Sequence, residues 1–265
     1  IFAGMEPGSS AVLNRDNPFY DRLARAARAS GIERIIGFGA HEGADMRLVD
    51  CTLGPSTSKV AVSAGGLRID YRLGVPGRHW VINSLAVLGA AQALGADIGR
   101  AATALANVVA LDGRGRRHEV GLGAKRFTVI DESYNASPAS VRAALETLAT
   151  MQPGKGGRRI AVLGDMRELG VRSAALHAEL EEVVRANGID LVFTAGTDIM
   201  HLSAALPREI CGAHAETAER IATVVTAALR PGDIVTVKGS LASDMRVVVE
   251  ALLGLGGEPA RVVNG

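Results

Sequence analysis

Two rhythms of apolar and polar positions divide this chain. In the first part, "SSAVLN" and "ERIIGFG" are short apolar runs that predict strands. Between them "NPFYDRLARAARASG" predicts a helix, with Pro18 near its start and Gly31 as its stop. The period then shortens to two. "MRLVDCTL", "SKVAVSAGG" and "LRIDYRLGVPG" alternate like antiparallel strands, with Gly65-Gly66 as a hairpin turn. Ala-rich helical stretches follow at about 80–94 and 98–107, then a Gly- and Arg-rich connector, "LDGRGRRHEVGLG".

The second part alternates strand and helix. Strands are predicted at "RFTVIDES", "RRIAVLGD", "DLVFTAG", "EICGA" and "DIVTVKGS". Helices are predicted from Pro138 to Met151 and at "SAALHAELEEVVRANG", "TAERIATVVTAAL" and "SDMRVVVEALLG", with a short one after "DLVFTAG". Short connections between such units imply an α/β fold with a mostly parallel sheet covered on both faces. Ligands of such sheets sit at the carboxyl ends of the strands. Those ends carry Asp131-Glu132-Ser133, Gly164-Asp165, Gly196 and Lys238-Gly239-Ser240. Acids, a lysine and glycines on one edge suit a polar or charged small molecule. Taken singly, each residue also serves to cap a helix or make a turn.

Composition narrows the field. The chain has 265 residues, 48% of them apolar and 3% aromatic, so its core is built from Ala, Val, Leu and Ile. Net charge is +1, which disfavours nucleic acid as a partner. The two cysteines, Cys51 and Cys211, lack metal-ligand spacing and read as free thiols in a reducing compartment. No signal peptide is read, and "HWVINSLAVLGAAQALGA" carries His79, Asn83 and Gln92, so it reads as a buried helix rather than a membrane span. The chain opens on Ile1 inside what reads as a helix or strand, and upstream sequence is expected.

Some motifs carry little. "GFGAHEG" has the spacing G-x-G-x-x-x-G and is followed by a strand, so it reads as a turn and not a dinucleotide fingerprint. "GLGAK" is too short for a phosphate loop, and no G-x-x-x-x-G-K-[ST] occurs. His79 and Asn83 lie one helical turn apart and are equally a cap with a buried polar pair. Arg114, Arg116 and Arg117 are suited to phosphate through their forked donors, and equally to a solvated basic linker.

In order, however, "GRHWVINSLAV", "DGRGRRH", "IDESYNASPASVRAAL", "IAVLGDMRELG" and "GDIVTVKGS" resemble the Mur ligases over nearly the whole chain. Within that family they are most similar to the ligases that add D-Ala-D-Ala to UDP-N-acetylmuramoyl-tripeptide in peptidoglycan precursor synthesis. "DESYNASP" and "LGDMRELG" are the most specific pieces; sister ligases carry D-Y-A-H-T-P or D-G-A-H-N-P at the former. Departures from the family pattern are Trp80 for Asn, Ser137 for the second Asn of Y-N-A-N-P, Val141 for Met, and Asp244 where relatives often have Arg.

The resemblance implies a partial central ATPase domain over residues 1–112 and a Rossmann-like C-terminal ligase domain over 113–265. It implies an ATP- and Mg2+-dependent reaction in the cytoplasm: a peptide carboxylate becomes an acyl phosphate, and the amine of D-Ala-D-Ala attacks it. Carried over by position, Asn83, with His79 beside it, would contact the adenine side of ATP. Arg114 would reach the phosphates, Asp131 or Glu132 would hold the ribose hydroxyls, and Tyr134 and Asn135 would sit beside them. Asp165, Lys238 and Ser240 would lie near the incoming dipeptide. The family's phosphate loop, Mg-binding glutamate and carbamoylated lysine are expected upstream of Ile1. No catalytic residue and no metal ligand is therefore expected within these 265 residues, which are expected not to turn over alone. A monomer is expected at full length. The competing readings are a non-catalytic α/β nucleotide- or peptide-binding module and a sister ligase adding a different amino acid.

Overall fold

The computed structural model describes residues 1–6, 8–256 and 261–262. The chain forms two compact units, the first Ile1–Val108 and the second Val109–Asn264.

The first unit is built on a five-stranded sheet. Strand β1 (Ser10–Asn14) leads through α1 (Tyr20–Ala29) to β2 (Arg34–Gly39). Strands β3 (Met46–Leu53), β4 (Ser58–Ala64) and β5 (Leu67–Leu73) follow, then α2 (Arg78–Ala93) and α3 (Ile98–Ala104). The strands lie in sequence order. β1, β2 and β3 run parallel, and β3, β4 and β5 antiparallel. Gly65 and Gly66 both take positive φ (58° and 85°), as a tight turn between β4 and β5 requires. Helix α2 buries Val81, Ser84, Leu85, Leu88 and Gly89, the i, i+3, i+4, i+7, i+8 stripe of a helix laid on a sheet. Each fully buried Val or Leu contributes about 1.5–3 kcal/mol of transfer free energy. A Cβ at Gly89 would stand 3.1 Å from Val12 Cγ1, so helix and sheet meet closely there. The one hydroxyl on the buried stripe, Ser84 Oγ, is satisfied by Tyr71 Oη at 2.5 Å and donates to Val81 O at 2.7 Å.

The second unit opens with β6 (Arg116–Leu122), β7 (Lys125–Glu132), α4 (Pro138–Ala149) and β8 (Arg159–Gly164). It continues through α5 (Ser173–Ala178), α6 (Leu180–Ala186), β9 (Leu191–Ala195), α7 (Met200–Ala205) and β10 (Cys211–Ala215). Helix α8 (Ala218–Ala228), β11 (Ile234–Lys238), α9 (Arg246–Leu253) and the short β12 (Arg261–Val262) complete it. The seven-stranded sheet has the order β10-β9-β8-β11-β7-β6-β12. From β10 to β7 the strands are parallel, while β6 and β12 form an antiparallel border. Alternate residues of each central strand feed two separate cores. Ile130, Ala161 and Leu163 pack with Leu145 and Leu148 of α4 and Leu180 and Val184 of α6. Val129, Val162 and Val235 pack with Ile221 and Val225 of α8 and Val248 and Leu252 of α9. Strands buried on both faces explain why "IAVLG" and "DIVTV" read as unbroken apolar runs.

Three sequence expectations are corrected. The connector is in large part β6: His118 and Val120 are buried at a period of two that the Arg and Gly content hides. The helix expected over "SAALHAELEEVVRANG" is divided at Glu179 into α5 and α6. His177 in α5 is turned to the loop after β8, while α6 packs into the core beside α4. The strand expected at "EICGA" begins and ends later, at Cys211 and Ala215. The departures Ser137 and Val141 fit their places. Ser137 caps α4 reciprocally with Ser140, with Pro138 opening the helix, and Val141 is buried in the core. Among the described residues no helix is long and apolar enough to cross a membrane.

Candidate functional site at the strand tips of the second unit

The parallel register brings the carboxyl ends of β7, β8, β9 and β11 to one edge of the sheet. Two clusters of sequence-predicted residues form there.

The first lies at the tip of β7. Asp131 is 6% exposed. Its Oδ2 accepts from Gly113 N at 2.8 Å, and its Oδ1 from Ser133 N at 3.1 Å and Ser133 Oγ at 2.6 Å. The main chain adds Gly115 N to Asp131 O at 2.7 Å and Tyr134 N to Gly113 O at 3.1 Å. The segment entering β6 is thereby bound to the tip of β7, and Arg114 is carried with it. Its guanidinium lies 4.2 Å over the exposed Tyr134 ring, a cation–π arrangement that holds the fork in place while leaving its edges open. Glu132 meets Lys238, the facing residue of β11, at 3.2 Å, and Lys238 also donates to Asn135 O at 2.9 Å. The exposed Asn135 folds its side chain back on its own loop, accepting from Ala136 N at 2.8 Å. Beneath the tip, burial holds His118 below the usual imidazole range, against the pull of the Asp131 carboxylate.

The second cluster surrounds Asp165 at the end of β8. This carboxylate is 1% exposed, and its Oδ1 accepts from Asp198 N at 3.0 Å and Ile199 N at 2.8 Å. Its Oδ2 lies 3.4 Å from Arg167. Ser240 donates its N–H to Asp165 O at 3.0 Å, and its Oγ accepts from Arg167 N at 2.9 Å. A cavity of about 270 Å³ opens beside them, lined by Asp165, Arg167, Gly196, Glu216, Glu219 and Asp244 among others. Four acids and one arginine suit a small molecule bearing both an ammonium and a carboxylate.

The predicted residues therefore divide. Arg114, Asp131, Glu132, Tyr134, Asn135 and Lys238 form one cluster, and Asp165 and Ser240 another. His79, partly buried, and Asn83, exposed, stand at the start of α2 in the first unit. Arg167 and His177 were not singled out from the sequence. Arg167 lies within the quoted "LGDMRELG", and its place beside Asp165 is the signal that was there to read. His177 is fully buried; its Nε2 accepts from Met166 N at 3.0 Å and its Nδ1 donates to Ser173 O at 2.8 Å, so it pins the loop after β8. A lone His in a helix gives no such hint. The described residues include no group of three or more His, Cys, Asp or Glu placed to hold a metal ion.

Residues 1–91 match the family described as "Mur ligase middle domain", and residues 115–241 match "Mur ligase, glutamate ligase domain". The chain is 30% identical to the Escherichia coli K12 UDP-N-acetylmuramoyl-tripeptide–D-alanyl-D-alanine ligase, over 95% of this chain and 54% of that protein. It is 31% identical to the ligase of the same name from Mycobacterium tuberculosis CDC 1551, over 93% of this chain and 51% of that protein. The crystal structure of MurF from Acinetobacter baumannii shares the fold, with a TM-score of 0.79, 22% identity, and coverage of 95% of this chain and 53% of that one. The chain thus spans about half the length of the curated relatives it matches. Two adjacent family matches, relatives aligned across both units and a shared fold lead to one conclusion: the chain belongs to the Mur ligase family.

Proposed function

We propose that this chain serves the ATP-dependent ligation of D-Ala-D-Ala to UDP-N-acetylmuramoyl-tripeptide, a cytoplasmic step in building peptidoglycan precursor. The observation that carries the reading is the tip of β7, where Arg114 is held over Tyr134 with its fork open, and where Glu132, two residues before Tyr134, carries a carboxylate. A planar guanidinium matches phosphate oxygens, and a carboxylate accepts from ribose hydroxyls. In this reading Arg114 neutralises phosphate charge, Glu132 orients the ribose, and Tyr134 supports Arg114. Asp131, with both oxygens occupied by Gly113 and Ser133, keeps the two segments together. For His79 and Asn83 of the first unit, the role that the family resemblance gives is contact with adenine. The cavity beside Asp165 receives the dipeptide, with the acids toward its ammonium and Arg167 toward its carboxylate. Residues 1–112 act as the ATPase portion and 113–265 as the domain that delivers the dipeptide.

Calorimetric titration of the chain with ADP tests the reading. Saturable binding is expected, weakened about tenfold or more by Arg114→Ala, the loss of roughly one charge-assisted contact. A wild-type chain that binds neither ADP nor ATP refutes it.

A further inference from the structure

We propose that Lys238 is a positioning residue. Its ammonium holds the β7 tip in the shape that presents Tyr134 and Arg114, and it makes no contact with the incoming substrate. The inference rests on the nucleotide role proposed above for that tip.

Lys238 is the last residue of β11 and faces Glu132, the last residue of β7, in parallel register. It is 3% exposed. Its Nζ lies 3.2 Å from Glu132 Oε2 and donates to Asn135 O at 2.9 Å. A buried ammonium is stable only while paired, so these two bonds are requirements of the fold. An ammonium so enclosed has little to offer a passing dipeptide, whose cavity is lined by Asp165, Arg167 and their neighbours and not by Lys238.

The two anchored groups bracket one residue that matters. Glu132 stands before Tyr134 and Asn135 after it, and a single ammonium grips both sides of the turn. Tyr134 itself is 46% exposed and carries Arg114 on its ring. Releasing the ammonium frees the Glu132 carboxylate and the Asn135 carbonyl together. The turn then loosens, and the surface that holds the Arg114 fork goes with it. Lys238 acts on a nucleotide only through these neighbours.

The test pairs hydrogen exchange with ADP titration on the whole chain, for wild type, Lys238→Met, Lys238→Arg, Glu132→Gln and the Lys238→Met/Glu132→Gln double variant. Lys238→Met keeps the stem and removes the charge. The expected result is amide exchange at Tyr134–Ala136 faster by about tenfold or more, with β8–β10 amides unchanged. ADP affinity should fall about tenfold, and the double variant should lose less than the sum of the two single losses, because both break the Lys238–Glu132 link. Lys238→Arg should restore affinity to within about threefold, since its fork still bridges both acceptors. If Lys238→Met proves unfolded, Glu132→Gln and Lys238→Arg carry the same comparison. Unchanged exchange at Tyr134–Ala136 overturns the proposal whatever ADP does. Additive losses, or loss of D-Ala-D-Ala binding with ADP binding intact, also overturn it and return Lys238 to direct contact. Faster exchange in a protein whose wild type binds no ADP upholds Lys238 as the anchor and refutes the nucleotide reading instead.

Discussion

Thr236→Val should make the second unit more stable. Thr236 sits in the middle of β11, beside Ile130 of β7 and Ala161 of β8, and is 1% exposed. Its Oγ1 is buried and has no hydrogen-bond partner. An unsatisfied hydroxyl in an apolar interior costs about 1–3 kcal/mol. Replacing it with a methyl removes that cost and adds roughly 0.8 kcal/mol of apolar transfer, less some strain from the change of shape. A net gain of about 1–2 kcal/mol is expected, or about 2–8 °C in Tm for a unit of this size. Trp80 is the only tryptophan and lies in the first unit, so its fluorescence does not follow this change. Hydrogen exchange of the β11 amides does, and protection there should rise about five- to thirtyfold. A lower Tm, or unchanged protection, refutes the argument and means that a buried water satisfies the hydroxyl.

Gly157→Ala should be severely destabilising. Its new Cβ would lie 2.0 Å from Gly232 O and 2.2 Å from Gly232 C, backbone atoms that cannot swing aside, and more than about 3 kcal/mol should be lost in a urea titration. Stability of the second unit should fall with acid because of His118. Its folded value is held below 6.5, so the unfolded chain takes up the proton first; stabilisation is complete above about pH 6.5 and is lost as pH falls from there through the folded value. Urea midpoints at pH 7 and 5, with His118→Gln flattening the difference, check this. Burial pushes Tyr71 up to about 12 against the Ser84 hydrogen bond. Absorbance at alkaline pH should therefore show one of the three tyrosines titrating late in Tyr71-intact protein and absent in Tyr71→Phe. The same shift means that stability is full below about pH 10 and is lost as pH rises toward 12.

The sheet of the second unit was legible because strands buried on both faces leave unbroken apolar runs such as "IAVLG". Strand β6 was not, because its buried His118 and Val120 are separated by Arg, Glu and Gly that dominate the composition. The grouping of Asp131, Glu132 and Lys238 at one edge followed from strand ends alone, since parallel strands must end together. What each does there did not follow. Only distances show that Asp131 is consumed by Gly113 and Ser133, and that Lys238 serves Glu132 and Asn135. Hydrogen bonds between residues far apart in the chain leave no periodic trace. His177, a lone histidine in a helix, left none either, whereas Arg167 stood two residues from Asp165 within "LGDMRELG", where it was there to read.

The order of strands in the second sheet bears on how the protein is made. Strand β11 lies between β7 and β8, yet Lys238 emerges 106 residues after the Glu132 it faces. At ribosomal speeds of about 5–20 residues per second, the middle of the sheet is missing for on the order of 5–20 seconds. During that interval β7 and β8 have been made, and the edges they will turn to β11 have no partner. Two unpaired apolar edges on a nascent chain are templates for the wrong neighbour. The sheet becomes continuous only when its last long strand slots into its centre, and the tip that holds Tyr134 and Arg114 is completed by that same closing event.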